Sequence, residues 1–285
     1  MRVILSRKGF DSSAGGCPSP ILPDGRLCSL PIPDEASSIS YGDIDYCGTN
    51  LGELVCQLTL NARWQGEGAH LDPDLRADAL PRLPGWTPTL GQSGSAQGHL
   101  RNEGVTVGDL FLFFGTFRPV QQVAGGWRFS PRQAPCQVIW GWLQVGKVLK
   151  VDELLADPMP WVRYHPHFAY GKDASNTLYL ATKKLSLDGI AAGYPGAGTF
   201  AYLDERLVLT ASDAKRQTRW RLPAFFAPGK GQRGLSFHRN PNRWTSAEDG
   251  CLLDSAFRGQ EFVLDMQGDE RPLVWIRSLL AAART

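Results

Sequence analysis

The sequence predicts an α+β protein, built on one mixed, mostly antiparallel and strongly curved sheet or barrel with a few peripheral helices. Three observations predict it. Thirty-one glycines and twenty prolines in 285 residues punctuate the chain with turns, which suits many short strands better than long helices. No repeated strand–helix alternation of the doubly wound kind runs along it. The hydrophobic fraction of 42% beside 20% charged residues is that of a folded chain with a substantial core, long enough for one large or two ordinary domains.

Taken in order, residues 2–6 read as a first buried strand, ended by Lys8-Gly9. Residues 11–20 form a loop of small residues, where Gly15 and Gly16 permit positive φ and successive amides can make an anion nest. No Gly-Lys-Ser/Thr follows, so it is not a Walker loop. Ser12, Ser13 and Ser19 are its candidate substrate contacts and Asp11 a candidate catalytic carboxylate; a purely structural turn is the competing reading. Pro31-Ile32-Pro33-Asp34 is extended and leads through Tyr41-Gly42-Asp43 toward a helix over residues 51–61. There Leu51, Leu54, Val55 and Leu58 follow the helical i, i+3, i+4, i+7 spacing. A glycine-spaced segment, residues 91–100, delivers His99.

Residues 107–115 give a turn and a buried strand, and residues 127–129 and 136–148 two more. Over residues 107–150 this pattern resembles the barrel of modified-base readers of the PUA and EVE type, a resemblance many small β-barrels share. Residues 177–182, 207–211, 219–222 and 260–264 read as further strands, and residues 273–284 as a C-terminal helix rich in Leu and Ala.

A net charge of +2 exerts no strong pull toward nucleic acid. Its distribution is more telling: between Asp213 and Glu248 no acidic residue occurs, while Lys215, Arg216, Arg219, Arg221, Lys230, Arg233, Arg239 and Arg243 all fall inside. Converging on one face, they would hold phosphates, with Arg239 the first candidate for the substrate; balanced by acids elsewhere, they are a solvated surface. Residues 1–8 carry no apolar stretch of the export-signal kind, and the longest apolar block, residues 110–114, is far too short to span a bilayer. Six cysteines show no CxxC pair. A cytoplasmic protein with reduced thiols and no membrane partner is therefore expected. Of nine tryptophans, most belong to a core, and one or two to a ligand pocket.

The chemical lead lies in two clusters, His70-Leu71-Asp72-Pro73-Asp74 and His165-Pro166-His167. Groups two residues apart project to one side of an extended chain, so each cluster can offer a divalent metal two ligands. The candidate ligands are His70, Asp72, His165 and His167, followed by His99 and His238. Imidazole with carboxylate suits iron, zinc or manganese, and two histidines with one carboxylate form the facial triad of non-haem iron enzymes, which favours iron. Asp11 and Asp74 remain as general-base or supporting carboxylates. A polar surface loop and a proline-braced turn are the competing readings of the two clusters.

Residues 5–13, Gly15-Gly16, residues 18–25 and residues 29–33, together with residues 70–75, 91–100, 109–115 and 165–167, resemble the third nucleotide-modification-associated domain family. The resemblance covers nearly the full chain, so it implies one family domain over residues 1–285 in a nucleotide-linked setting, and it brings no catalytic assignment. It joins the metal clusters to one expectation, a metal-dependent enzyme modifying a nucleotide or nucleobase, in DNA or free. The alternatives are a module that binds modified bases or nucleic acid without catalysis, and a metal-free small-molecule pocket lined by the histidines.

Overall fold

The computed structural model describes residues 1–46, 48–155, 159–229, 231, 233–256 and 259–284; Cys47 and Lys230 lie outside them. In chain order its elements are β1 (Arg2–Arg7), β2 (Ser19–Ile21), α1 (Leu51–Thr59), β3 (Thr89–Gln92), α2 (Gly94–Asn102), β4 (Leu110–Val123), β5 (Gly126–Phe129), β6 (Cys136–Lys150) and α3 (Val151–Leu154). There follow β7 (Thr177–Ala181), β8 (Lys184–Leu187), β9 (Ile190–Pro195), β10 (Ala197–Thr199), β11 (Arg219–Leu222), β12 (Trp244–Ala247), β13 (Gly250–Asp254), β14 (Glu261–Asp265) and α4 (Arg271–Ala281).

Nine strands form one curved sheet with the path β14-β1-β4-β6-β7-β3, joined by β10 on β6 and by β2 and β5 on β4. β1 and β2 run parallel to β4 and every other pair is antiparallel. The expected mixed, mostly antiparallel α+β architecture is therefore present. Among the described residues the sheet stays open, ending on β14 at one side and β3 at the other. At its centre, Leu110 to Phe114 are all fully buried, because both faces of β4 are covered. Each such side chain stabilises the fold by roughly 1.5–3 kcal/mol relative to exposure. A bulge between Phe113 and Phe114 bends β4 against β6.

α1 forms where its spacing places it. Asn50 caps it by accepting from the Glu53 amide at 3.1 Å, and Leu51, Leu54, Val55 and Leu58 are buried. These residues build a second core with Phe10, Tyr41 and Trp64, whose rings meet edge-on or tilted at 5.4–5.8 Å. Residues 207–211 depart from the expected strand. A 3₁₀ turn (Glu205–Leu207) precedes isolated bridges from Val208 to Val138 and from Thr210 to Trp220. The Thr210 hydroxyl accepts from the Gln137 amide and donates to the Gln217 carbonyl, doing by side chain what a ladder would do by backbone. Among the described residues no helix is long and apolar enough to cross a membrane, and Cys17, Cys28, Cys56, Cys136 and Cys251 form no disulfide.

Candidate metal centre

Residues 69–74 lie between two other segments, bridged at both ends and tightened between by i→i+2 hydrogen bonds from the Leu71 and Asp72 amides to the Ala69 and His70 carbonyls. Ala69 bridges Pro33, the His70 amide donates to the Ile32 carbonyl at 2.8 Å, and Asp74 pairs with Thr89 on β3. The 3₁₀ turn Pro166–Tyr170 faces this strip and is capped by His165. Period-two alternation then brings His70 and Asp72 to the same side, as their spacing predicts, and the turn delivers His167 to them. One ligand atom from each of His70, Asp72 and His167 lies within 4.8 Å of the others, and all three residues are buried.

The hydrogen bonds around the three decide which atoms are available. His70 Nδ1 stands 2.8 Å from Asp34 Oδ2 and 3.1 Å from the Tyr170 hydroxyl; the closer partner is a pure acceptor when ionised, so Nδ1 carries the proton and Nε2 keeps its lone pair, 3.8 Å from Asp72 Oδ2. Asn176 Nδ2 donates to the His167 carbonyl at 2.8 Å, which leaves its Oδ1 to accept from His167 Nδ1 at 2.6 Å. His167 Nε2 is thereby also unprotonated, 3.9 Å from the same Asp72 oxygen. Outer acceptors fix both tautomers, the arrangement by which metal-ligating histidines are oriented.

His165 is placed differently. Its Nδ1 accepts from the His167 amide at 3.4 Å, so Nε2 bears the proton; it lies 3.5 Å from Asp72 Oδ1 without making a hydrogen bond. The Gly91 amide donates to Asp72 Oδ1 at 2.6 Å. A β-carbon on Gly91 would lie 2.3 Å from the His167 ring, so only glycine lets β3 approach this closely.

Electrostatics keep the set in metal-ready form. Burial pushes the His70 imidazole down from its ordinary value and the His167 imidazole down to about 4, outweighing the pull of Asp72 in each case. Burial alone would raise the Asp72 carboxyl. The Lys8 ammonium, 3.4 Å from Oδ2, and the neighbouring imidazoles outweigh it and hold the group well below the usual carboxylate range. Ligands about 2.1 Å from a shared ion stand roughly 3–3.5 Å apart. The 3.8 and 3.9 Å separations from Asp72 exceed this by a few tenths of an ångström, all three ligand atoms lie within 4.8 Å of one another, and the donor set can hold a divalent metal.

The triad opens into a cleft of about 780 Å³, walled by Arg7, Lys8, Asp11, Ser13, residues 92–96, His99, Tyr170, Phe237 and Glu261. This is ample room for a drug- or nucleotide-sized ligand. Asp11 and Ser13 thus reach it, although Asp11 Oδ1 is engaged by the Ser13 amide and hydroxyl and by the Ala14 amide. Ser12 lines a neighbouring depression instead. Ser19 is buried with its hydroxyl accepting from the Leu30 amide.

Other candidates are drawn into the fold. Asp74 takes two guanidinium nitrogens of Arg82 at 2.6 and 2.8 Å, with Tyr164 and Trp86 donating to it as well, and is fully engaged away from the cleft. His238 is buried with Nδ1 on the Ser236 carbonyl and Nε2 accepting from the Ala256 amide, so neither nitrogen faces the triad. His99 lines the cleft with Nε2 2.9 Å from Ser236 Oγ. Arg239 is held by Glu103 at 2.8 Å in a separate depression, and Arg219 pairs with Asp254 at 2.6 Å. Among the described residues of the basic segment, Phe237 is the one that lines the cleft. Asp34, Asn176, Lys8 and Glu261 escape sequence reasoning because none adjoins a histidine; glycine at 91 and aspartate after Pro33 are their faint signals.

These features define the class: an α+β domain presenting a His/Asp group able to hold a metal ion in a nucleotide-sized cleft. Its family follows from comparison. The model of nucleotide modification associated domain 3 matches residues 2–265, and the chain belongs to that family. No curated protein matches it. No solved structure does either.

Proposed function

We propose that the protein is a metal-dependent enzyme acting on a nucleotide or nucleobase, with His70, Asp72 and His167 as the ligands. The observation that carries this is the pair of tautomers: Asp34 and Asn176 each fix an Nδ1, so two imidazole lone pairs converge on one carboxylate oxygen. Three protein ligands leave coordination positions open, and a bound ion there supplies Lewis acidity or activates water or dioxygen. Two histidines and one carboxylate favour iron over zinc and manganese. Family membership supports the nucleotide side of the reading.

The remaining residues serve this chemistry as binders and holders. Lys8 and Arg7 bring positive charge to the cleft wall, complementary to phosphate. The Gly91 amide keeps Asp72 Oδ1 in place, so that Oδ2 faces the imidazoles. Asp11, on the loop at the rim, is the carboxylate nearest to a general-base role. Elemental analysis of untagged protein tests the reading. About one equivalent of metal is expected in the wild type and none in His70→Ala, with the far-ultraviolet circular dichroism of both alike. Wild-type protein without metal, or full metal in His70→Ala, would leave the non-catalytic binding module as the better account.

A further inference from the structure

Phe237 is the anomaly of the cleft. Its side chain is 53% exposed, and no other phenylalanine among the described residues is exposed. Its backbone sits at φ +62°, in the left-handed region that costs any residue with a β-carbon. A large apolar ring held open to solvent on an unfavourable backbone calls for a reason outside the fold. The ring lies on His99, centroids 4.3 Å apart, and its outer surface faces the same cleft as the triad. A second anomaly lines the same cleft. Glu261 is 1% exposed; its Oε1 accepts from Ser6 Oγ at 3.0 Å and Gln92 Nε2 at 2.6 Å, but its Oε2 has no partner. Buried carboxylate oxygens are rarely left so. Glu261 lines the same cleft as Phe237.

We infer that the cleft carries a nucleobase subsite beside the metal triad, in which Phe237 stacks on the base and Glu261 Oε2 accepts a hydrogen bond from an amino group on its edge. This rests on the nucleotide reading above and narrows it to amino-bearing bases. Stacking tolerates any base, because every base has a π-face. Glu261 does not: burial raises its carboxyl, Lys8 at 4.0 Å opposes this, and in the ionised form both oxygens only accept. Adenine, cytosine and guanine present an exocyclic amino donor, whereas uracil and thymine flank their single ring N–H with two carbonyl acceptors that a carboxylate repels. Lys8, 4.0 Å from Glu261 Oε1 and 3.4 Å from Asp72 Oδ2, stands between the base subsite and the metal ligands.

The test is a fluorescence titration of the full chain with 2-aminopurine ribonucleotide, whose emission is quenched by stacking, run beside ribose 5-phosphate as a base-free competitor and with metal content measured in each sample. Phe237→Ala should weaken binding by about tenfold or more and abolish the quench, while Phe237→Tyr keeps both. Phe237→Gly should weaken binding equally without lowering the melting temperature, because glycine takes φ +62° freely. Glu261→Gln should weaken AMP and reduce its advantage over UMP. Unchanged affinity in Phe237→Ala, equal losses in the Tyr and Ala variants, or equal binding of AMP and UMP by the wild type would each overturn the subsite. None of these results touches the metal content, so the subsite can fail while the metal reading stands, and the reverse.

Discussion

Asp72 and Asp74 are two residues apart and both buried, yet they belong to different regions with opposite logic. Around Asp74 every polar atom is answered from within: Arg82, Tyr164 and Trp86 converge on one carboxylate, and the Arg82 guanidinium also lies 4.5 Å from the Trp86 ring centre. Around Asp72 the partners are arranged so that something is left over, namely two imidazole lone pairs aimed at one oxygen. The closed network ties the strip bearing His70 and Asp72 to Tyr164, the residue before His165, and so positions the open one. His238 and His167 repeat the contrast. Both are buried and neutral, but His238 has each nitrogen engaged in the fold while His167 has one turned to the cleft. Burial and charge therefore do not separate a functional histidine from a structural one here; the destination of its second nitrogen does.

Breaking the closed region should have the largest effect. Asp74→Asn leaves the buried Arg82 charge without its counter-ion and should cost about 3–5 kcal/mol in urea unfolding. A loss under about 1 kcal/mol would show the network to be incidental. Next comes His238, which burial pushes down to about 4 from 6.5. The unfolded chain takes up its proton as pH falls through about 6.5, whereas the folded chain must wait until about 4. Stability should thus be fully present above pH 6.5 and decline below it, by about 3 kcal/mol from this residue once pH reaches 4. Protonation would set an Nε2–H against the Ala256 N–H. Comparing unfolding of wild type and His238→Gln at pH 7 and 4.5 checks this, since parallel losses in both would assign the pH dependence elsewhere. The subtlest change sharpens the open region: Asp34→Asn keeps the shape beside His70 Nδ1 but weakens its hold on the tautomer. Metal affinity should drop about 10- to 100-fold by competitive chelation while the melting curve barely moves. Unaltered affinity would show that Asp34 does not set the His70 tautomer.

Much of this was legible where physics is local. The strands β1, β4 and β6 announce themselves as apolar runs, α1 by its spacing, and the pairing of His70 with Asp72 by alternation. α2 did not, since only Gln97 and Leu100 of its nine residues are buried, leaving no apolar stripe to see. The strand at 207–211 failed because a threonine hydroxyl replaced part of its ladder. The tautomer-setting partners are separated from their histidines by 36 residues for Asp34 and 9 for Asn176, and no spacing rule connects an aspartate after Pro33 to His70. Histidine and arginine side by side at 238 and 239 suggested one site, yet the first points into the core and the second out to Glu103.

Gly91 sits on β3, the strand that ends the sheet, paired to β7 in a register that places it opposite Leu178. End strands are where pairing most easily slips, and a slip of one residue would bring Leu90 or Gln92 to that position. Either side chain would then occupy the space of the His167 ring, and the amide that holds Asp72 would move with it. The alignment of the last strand and the integrity of the ligand set are therefore a single condition. A copy that closed its sheet one residue out of register would lose the arrangement of His70, Asp72 and His167 along with the strand pairing.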